Sequence, residues 1–220
     1  MLAALLDPDQ AVRTEAVQYL FGTLNHQNTL YSATVPAAIH VAAILPDPRT
    51  TNAVDKDQYD FPGCLRAELL AWIASVADEV SDSVDAIRRQ HGFSHDDYPP
   101  AVGIRGIRPL LFSAAFDYVS EPDRHVREAA IRACIPLVDD PRVTQRRQTL
   151  VPLVRDILGT SELWQHREQA IDALTRWGED SSGIEGQRSP FLFCDTDLSA
   201  GSSSWPALSS LAEGCEEPPF

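Results

Sequence analysis

Several signatures that mark enzymes, metal sites and membrane proteins are missing from this sequence. Its 220 residues include a single lysine, no glycine-rich phosphate loop (G-x-x-x-x-G-K) and no nucleophile elbow (G-x-S-x-G). No apolar run approaches the ~18 residues that a membrane span requires. The four cysteines are far apart and form no C-x-x-C pair, which is typical of reduced thiols in the cytoplasm. We therefore expect a cytoplasmic chain with no cofactor, no metal and no membrane partner.

Acidic residues outnumber basic ones, and they are densest near the carboxyl end. The formal net charge is −14, and residues 179–220 contain eight acidic residues against one basic residue, Arg188. An acidic chain repels phosphate backbones, so we expect that nucleic acid is not its main partner. The 179–220 segment is also rich in serine, glycine and proline, which predicts a disordered tail. The alternative for residues 190–200 is a degenerate last helix that begins near Pro190.

One short motif, the repeated phrase, occurs four times in the chain, and each copy begins a segment with the apolar spacing of a helix face. The four copies are Val12-Arg13, Leu65-Arg66, Val126-Arg127 and His166-Arg167. Counted from the residue before each arginine, positions +4, +5 and +8 are apolar, as in Ala16, Val17 and Leu20. This spacing places all three on one side of a helix. It predicts first helices near 9–21, 62–80, 123–138 and 162–177.

Second helices are expected to begin at the apolar runs that follow Pro36, Pro109 and Pro152. Units of about 40 residues with two helices each are typical of HEAT and armadillo repeats. An insertion at residues 79–101 enlarges the second unit, with a break near 81–83 and a loop from Gly92 to Gly103. We therefore predict an all-α fold for residues 1–178, an α-α superhelix (a HEAT/ARM-like solenoid), followed by the disordered tail at 179–220.

The four arginines of the repeat invite two interpretations. They are Arg13, Arg66, Arg127 and Arg167. A column of arginines can bind a phosphate or carboxylate ligand. The same residue in every unit is more typical of a structural role, because a binding site usually needs residues that occur once. We expect a structural ladder in which each arginine pairs with an acidic residue such as Asp9 or Asp123.

The loop at residues 25–34 is the leading candidate for partner binding. It contains His26, Gln27, Thr29 and Tyr31 within a few residues, and polar loops carried by rigid helices commonly bind partners. The alternative is a turn whose asparagine and threonine side chains cap the next helix. The loop from Gly92 to Gly103 is a second candidate contact.

A histidine pair near this second loop has the spacing of metal ligands. His91 and His95 are four residues apart, a spacing that puts two ligands on one face of a helix. Gly92 and the following pair Pro99-Pro100 indicate a solvated polar loop instead of a helix. We identify no catalytic residue, since no nucleophile has a base placed to activate it.

The phrase Asp-Pro-Asp-x-x-Val-Arg-x-x-Ala at 7–16, echoed with an initial glutamate at 121–130, resembles the HEAT-repeat signature. The chain is similar to HEAT-repeat proteins of actinobacterial type. The resemblance implies an α-solenoid that binds another protein as a scaffold, an immunity protein or a regulator. An alternative within such helical-repeat proteins is an enzyme acting on nucleic acid, such as a DNA glycosylase. A further alternative is a truncated reading frame without a function of its own.

Overall fold

Helices account for most of the chain in the computed structural model, which describes residues 1–26, 29–55 and 63–186. They are α1 (Gln10–Tyr19), α2 (Thr34–Ile44), α3 (Leu65–Asp78), α4 (Asp82–Gln90), α5 (Pro99–Phe116), α6 (Arg124–Leu137), α7 (Arg147–Leu153) and α8 (Trp164–Arg176). π-helical turns at Leu20–Leu24 and Val154–Leu158 extend α1 and α7. Short 3-10 turns occupy Leu2–Leu6, Pro48–Thr51, His95–Asp97 and Thr144–Arg146. The fold is mainly helical, as the sequence predicts.

Two small antiparallel ladders interrupt the helices. Strand β1 (Asn25–His26) pairs with β2 (Thr29–Leu30), and β3 (Ala53–Val54) pairs with β4 (Gly63–Cys64). Each strand has two residues, too few to give the alternation of apolar and polar residues that marks a strand in a sequence. The first ladder lies inside the predicted 25–34 loop and gives that loop a fixed backbone path.

The first helix of each unit begins where the repeated phrase predicts. The side chain of Asp9 accepts a hydrogen bond from the Ala11 backbone N–H at the start of α1. Asp123 caps α6 in the same way, accepting from the N–H groups of His125 and Val126. A carboxylate at this position satisfies backbone donors that have no partner within the helix. The two Asp-Pro-Asp and Glu-Pro-Asp phrases are therefore helix start signals.

The apolar positions of the repeated phrase form the core. Helices α1, α3, α6 and α8 contact one another in succession, and α3 packs most extensively against α6. All twelve of the +4, +5 and +8 positions are buried except Ile171, which is half-buried. Trp72 is fully buried on α3 and donates from its ring N–H to the Leu20 carbonyl, 3.0 Å away. The period found in the sequence therefore identifies the residues that pack between successive helices.

Two of the three prolines that are predicted to start second helices lie inside a helix instead. Pro109 is inside α5, which begins ten residues earlier at Pro99, and Pro152 is inside α7. Pro36 lies in the first turn of α2, which begins at Thr34. Proline lacks a backbone N–H and is tolerated in the first turn of a helix. Pro99-Pro100 therefore start α5, although the sequence predicts a loop there. The predicted Gly92–Gly103 loop therefore ends at Tyr98.

The contact between α2 and α5 depends on a glycine. A Cβ atom at Gly103 would lie 2.6 Å from Cγ2 of Val35 on α2, whereas a Cβ atom at Gly106 would have no neighbour within 4 Å. A β-branched valine has little rotational freedom with which to move aside. The absence of a side chain at position 103 therefore allows the two second helices to approach closely.

The insertion forms a helix and a short loop. Helix α3 ends at Asp78 and α4 begins at Asp82, where the Ser81 side chain accepts a hydrogen bond from the Val84 N–H. The predicted break near 81–83 is confirmed. Residues 91–98, which we call the second loop, connect α4 to α5.

The packed unit extends beyond the predicted boundary at 178. It comprises Met1–Gly186, and Ile184 packs against the core. The Arg167 Nε donates to the Glu185 carbonyl at 2.8 Å. The predicted disorder and the alternative last helix at 190–200 lie outside the described residues. Within the described ranges, no helix has the length and apolar character needed to cross a membrane.

Candidate partner-binding surface and charged cleft

Buried polar side chains anchor the two ends of the 25–31 segment, which we call the first loop. Asn25 is buried, and its Nδ2 donates to the Ser75 hydroxyl on α3 at 2.6 Å. Thr34 is also buried and donates to the Leu24 carbonyl at 2.6 Å. The Thr34 oxygen accepts from the Tyr31 N–H at 2.9 Å. The loop is therefore attached at both ends, but these side chains do not cap α2 as the alternative predicts, since the start of α2 has no side-chain capping hydrogen bond.

The candidate binding residues of the first loop point outward. His26 and Thr29 are exposed, and Tyr31 is 41% exposed. Gln27 lies outside the described residues. A fixed backbone with exposed side chains can present them to a partner without first ordering the loop, which lowers the entropy cost of binding. The anchoring and the outward side chains are therefore compatible with each other.

The second loop lies against the first. The Tyr98 hydroxyl donates to the Leu30 carbonyl. A groove of about 410 Å³ separates the loops and is lined by Thr29, Arg88, Gly92, Phe93, Ser94, Asp97 and Tyr98. Phe93 is 67% exposed, the largest exposed fraction among the large hydrophobic side chains of the described residues. We call the outward residues of the two loops, His26, Thr29, Tyr31 and Phe93, the two-loop surface. The structure thus brings together two loops that the sequence identified separately.

The inner side of the second loop is not solvated as predicted. His95 is 2% exposed, and its Nδ1 lies 3.1 Å from Oδ1 of Asp85 on α4. Burial lowers the pKa of His95, and the nearby positive charge of Arg105 lowers it further. The imidazole therefore favours its neutral form. The second loop is polar in sequence, but His95 packs inward because α4 and α5 converge on it.

Asp85 connects this histidine to a charged cleft. Its Oδ2 lies 2.8 Å from Arg89 Nη2 and 3.1 Å from Arg105 Nη2. Burial raises the pKa of Asp85, but the hydrogen bond and charge of Arg105, with the charge of Arg89, outweigh it and hold the pKa below its usual value. The cleft measures about 850 Å³ and is lined by Asp82, Asp85, Ala86, Arg89, Gln90, Arg105, Arg108, Asp139, Asp140 and Pro141.

Arg108 is the least exposed cation of the cleft. The residue is 4% exposed, and its Nη1 lies 3.5 Å from Oδ1 of Asp82, a mostly exposed side chain. Its Nε and Nη2 have no hydrogen-bond partner among the described residues, and neither does Nε of Arg105. Burial lowers the pKa of Arg108, which reflects the cost of keeping this cation away from water.

The aspartates on the opposite wall differ from one another. Asp140 accepts from both Nε and Nη2 of Arg142, at 2.9 and 2.7 Å, and this hydrogen bonding lowers its pKa. Asp139 lies 3.8 Å from Arg147, and its Oδ2 has no hydrogen-bond partner among the described residues. Burial raises the pKa of Asp139. One carboxylate is therefore fully neutralised, and the other takes up a proton more readily.

The acidic residues at the end of α3 also have pKa values above their usual range. Glu79 is buried and lies 3.7 Å from Arg88, and burial raises its pKa to about 7. Burial also raises the pKa of Asp78 to about 6. In the folded chain the ionised form of each group is poorly solvated, so ionisation of these two groups destabilises the fold at high pH.

The repeated arginines bind main-chain carbonyls, and not the aspartates expected of them. Arg13 donates from Nη1 to the carbonyls of Asp7 and Pro8, both at 2.8 Å, and from Nη2 to the Ala53 carbonyl at 2.7 Å. Arg127 donates to the Glu121 and Pro122 carbonyls, and Arg167 to the Ser161 carbonyl. In these three units, the arginine reaches back six residues to the turn that precedes its helix.

Arg66 departs from this pattern. It donates to the Leu45 carbonyl at 3.2 Å and to the Thr50 hydroxyl at 2.9 Å. It also lies 3.7 Å from Glu121 and 4.9 Å from the centre of the Tyr118 ring. Arg66 thus makes an ion pair of the predicted kind, with an acidic residue at the start of the next unit, whereas Asp9 and Asp123 cap their helices.

A buried serine, histidine and glutamate meet between α6 and α8. Glu128 Oε2 lies 3.0 Å from His166 Nδ1 and 2.9 Å from the Ser161 hydroxyl, and Arg124 donates to Oε1 at 2.8 Å. Burial raises the Glu128 pKa, but these hydrogen bonds outweigh it and lower the pKa to about 2. Ser161 and Glu128 share one ring nitrogen of His166, whereas a catalytic triad uses both nitrogens. The arrangement is structural.

His91 and His95, which have the sequence spacing of metal ligands, lie in different surroundings. Throughout residues 1–26, 29–55 and 63–186, no group of three or more histidine, cysteine, aspartate or glutamate side chains is placed to hold a metal ion. His91 is exposed at the end of α4, whereas His95 is buried against Asp85. Their spacing in the sequence therefore does not correspond to a shared site.

An apolar groove lies away from the loops. It measures about 350 Å³ and lies between α2 and α5, with Ile39 and Leu110 among its lining residues. Ile39 is 42% exposed and Leu110 is 45% exposed. These two large hydrophobic side chains are as exposed as Tyr31, though less than Phe93, and supply controls for the two-loop surface.

A scan against protein-family models, a search of the curated proteins and a search of the solved structures each found no match to this chain. Its function is therefore inferred from its own geometry and chemistry.

Proposed function

We propose that this chain is a non-catalytic binding module, a HEAT-like α-solenoid that contacts another protein through the two-loop surface. The partner offers an apolar pocket that receives Phe93, while Tyr31, Thr29 and His26 contact its rim. The observation that carries the proposal is the meeting of the two loops through Tyr98 and Leu30, with Phe93 exposed at their edge.

The solenoid assignment is supported by the order of helix contacts. The first helices of the units, α1, α3, α6 and α8, contact in succession, and the second helices α2 and α5 contact each other. In solenoids, each unit packs on its neighbours along one direction, and insertions in single units commonly carry binding functions. The insertion of the second unit supplies α4 and the second loop, so the irregular part of the repeat builds the proposed surface.

The binding role is supported by the side chains at this surface. Aromatic residues with few rotatable bonds bury a large area at a low entropy cost and dominate the binding energy of many interfaces. Tyr31 and Phe93 are both exposed, although each is attached to a loop that buried hydrogen bonds hold in place. An exposed phenylalanine gives no benefit to an isolated chain in water, whereas it contributes to an interface.

The charge distribution gives no support to the alternative of a nucleic-acid enzyme. The chain has a net charge of −14, and the arginines of the cleft lie 2.8 to 3.5 Å from aspartates. A nucleic-acid groove requires cations that are free to replace the counterions of phosphates. We therefore retain the protein-binding proposal as the better supported function.

The test compares capture by matched variants of the full chain. Wild type, the double variant Tyr31→Ser/Phe93→Ser and the control Ile39→Ser/Leu110→Ser are immobilised at equal density and exposed to lysate from the cells that express the gene. Bound proteins are quantified by mass spectrometry after circular dichroism has shown equal helix content.

We expect one protein to bind wild type and the Ile39/Leu110 control equally. Its binding to the Tyr31/Phe93 variant is expected to fall by roughly 30-fold or more, because truncating an aromatic hot spot costs about 2 kcal/mol or more. Equal retention by all three chains, or loss only with the Ile39/Leu110 control, would contradict the proposed surface. Failure of wild type to retain any protein would contradict the proposed function.

A further inference from the structure

The charged cleft has hydrogen-bond donors that its own acceptors do not satisfy. Arg108 is more than nine-tenths buried, yet two of its three nitrogens have no hydrogen-bond partner among the described residues, and neither has Nε of Arg105. Buried polar groups in folded proteins are nearly always paired, so each exception requires an explanation. A ligand that supplies acceptor oxygens would account for these donors.

We infer that the cleft between α4, α5 and the turn after α6 binds a molecule bearing a carboxylate group, which Arg105 and Arg108 hold. Guanidinium groups donate in a planar fork that matches the two oxygens of a carboxylate. Arg105 is partly exposed, with 23% of its side chain accessible, so it can make the first contact. Arg108 lies deeper in the same wall, three residues later on α5.

The acidic residues of the cleft do not already occupy these arginines fully. Asp140 is neutralised by Arg142, which grips both of its oxygens. Asp85 is shared among Arg89, Arg105 and His95. Within the described ranges, Arg108 forms its ion pair with Asp82, at 3.5 Å, whose side chain is 63% exposed, and exposed ion pairs are weak. A buried carboxylate ligand would compensate the Arg108 charge better than Asp82 does.

The same aspartates select a single negative charge over a double one. Four aspartates line the cleft, and they repel a phosphate dianion more strongly than a monoanion because repulsion grows with the charge of the ligand. A carboxylate therefore fits the cleft better than phosphate.

The size of the cleft indicates that the carboxylate belongs to a larger molecule. Its volume of about 850 Å³ is in the usual range for small-molecule sites, which is about 300–1,000 Å³. Two sources share this chemistry, a small organic acid and the carboxyl end of a peptide. The inference does not depend on the two-loop surface, because the cleft is formed by other residues of α4 and by α5.

Isothermal titration calorimetry on the full chain at pH 7 tests this site. The probes are acetate, N-acetyl-alanyl-alanine, the amidated form of that dipeptide and inorganic phosphate, all at matched ionic strength. We expect the two carboxylates to bind, the amide to give no heat of binding, and phosphate to bind more weakly than either carboxylate. Tighter binding of the dipeptide than of acetate identifies a peptide end, and equal binding identifies a small acid.

Two variants at partly exposed positions assign the site without threatening the fold. We expect Arg105→Gln to weaken carboxylate binding by roughly 10-fold or more, since a hydrogen bond to a charged group is lost. We expect Asp82→Asn to strengthen it a few-fold, because the competing partner of Arg108 is removed. The control Arg49→Gln, at an exposed arginine that pairs with Asp47, is expected to change nothing.

Three results would overturn the inference. They are equal binding of the dipeptide and its amide, tighter binding of phosphate than of either carboxylate, and affinities unchanged by both Arg105→Gln and Asp82→Asn. Absence of binding by every carboxylate would also overturn it. None of these results bears on protein capture by the two-loop surface, so the two proposals fail separately.

Discussion

Arg13 is the clearest test of the idea that the repeated arginines are structural. It is 4% exposed and donates three hydrogen bonds, two to the turn that precedes α1 and one to Ala53 in β3, forty residues away in sequence. The substitution Arg13→Met removes all three bonds and keeps an unbranched side chain of similar length. The substitution therefore measures the effect of losing the hydrogen-bond donors while the packing of the aliphatic stem is kept.

The expected cost follows from the partners that are left behind. A hydrogen bond to a charged group contributes about 1.5–3 kcal/mol. The three carbonyls belong to Asp7, Pro8 and Ala53, which are half-buried or exposed, so water can replace part of what is lost. We expect a loss of about 3 kcal/mol, which corresponds to between one and two such bonds. For a chain of this size, the melting temperature should fall by roughly 6–12 °C.

Urea unfolding followed by circular dichroism measures this loss. Arg127→Met removes two carbonyl bonds from a half-buried arginine, and we expect a smaller shift of the urea midpoint. Arg49→Met, at an exposed position with an adjacent Asp47 partner, should leave the midpoint unchanged. The order Arg13, Arg127, Arg49 is the prediction. A midpoint shift for Arg13→Met no larger than that for Arg49→Met would refute the structural role.

Three further predictions concern pH, packing and reactivity. Stability should rise by about 4 kcal/mol between pH 8 and pH 5 as Glu79 (pKa about 7, ordinarily 4.5) and Asp78 (pKa about 6, ordinarily 3.8) are protonated; urea midpoints at pH 8 and pH 5 check this rise. Gly103→Ala should destabilise by about 1–3 kcal/mol through its clash with α2, whereas Gly106→Ala on the same helix should stabilise by about 0.5–1 kcal/mol, as measured by thermal unfolding. Cys134 is fully buried, and burial raises its thiol pKa, so peptide mapping should find it unalkylated in the native chain and alkylated in urea.

The parts of the fold that were predictable from the sequence are those set by a local period. The apolar spacing after each Val-Arg or equivalent phrase identified the helices and the residues that pack between them, since helix geometry fixes which side chains share a face. The start of α5 is not predicted because proline disrupts the interior of a helix but is favoured in its first turn. Pro99-Pro100 lie in a first turn, and whether a proline does so depends on the conformation of the chain before it.

The candidate sites also differ in whether their residues are close together in the sequence. The first loop was recognisable because its polar residues are close in sequence. The charged cleft was not, because its walls come from α4, α5 and the turn after α6, and no local pattern brings Asp85 to Arg105 or Arg108 to Asp82. His95 was predicted to be solvated for the same reason, since its burial depends on how α4 and α5 converge. The carbonyl partners of Arg13 likewise depend on the path of a turn.

Site-specific photocrosslinking in the expressing cells tests the partner-binding surface most directly. Phe93→p-benzoylphenylalanine places a crosslinker at the edge of the two-loop surface with little change in shape, and Leu110→p-benzoylphenylalanine places it at a comparably exposed apolar position outside that surface. We predict a single crosslinked protein for position 93 and none for position 110. Crosslinks at position 110 alone, or the same products from both positions, would contradict the assignment of the partner-binding surface to the two loops.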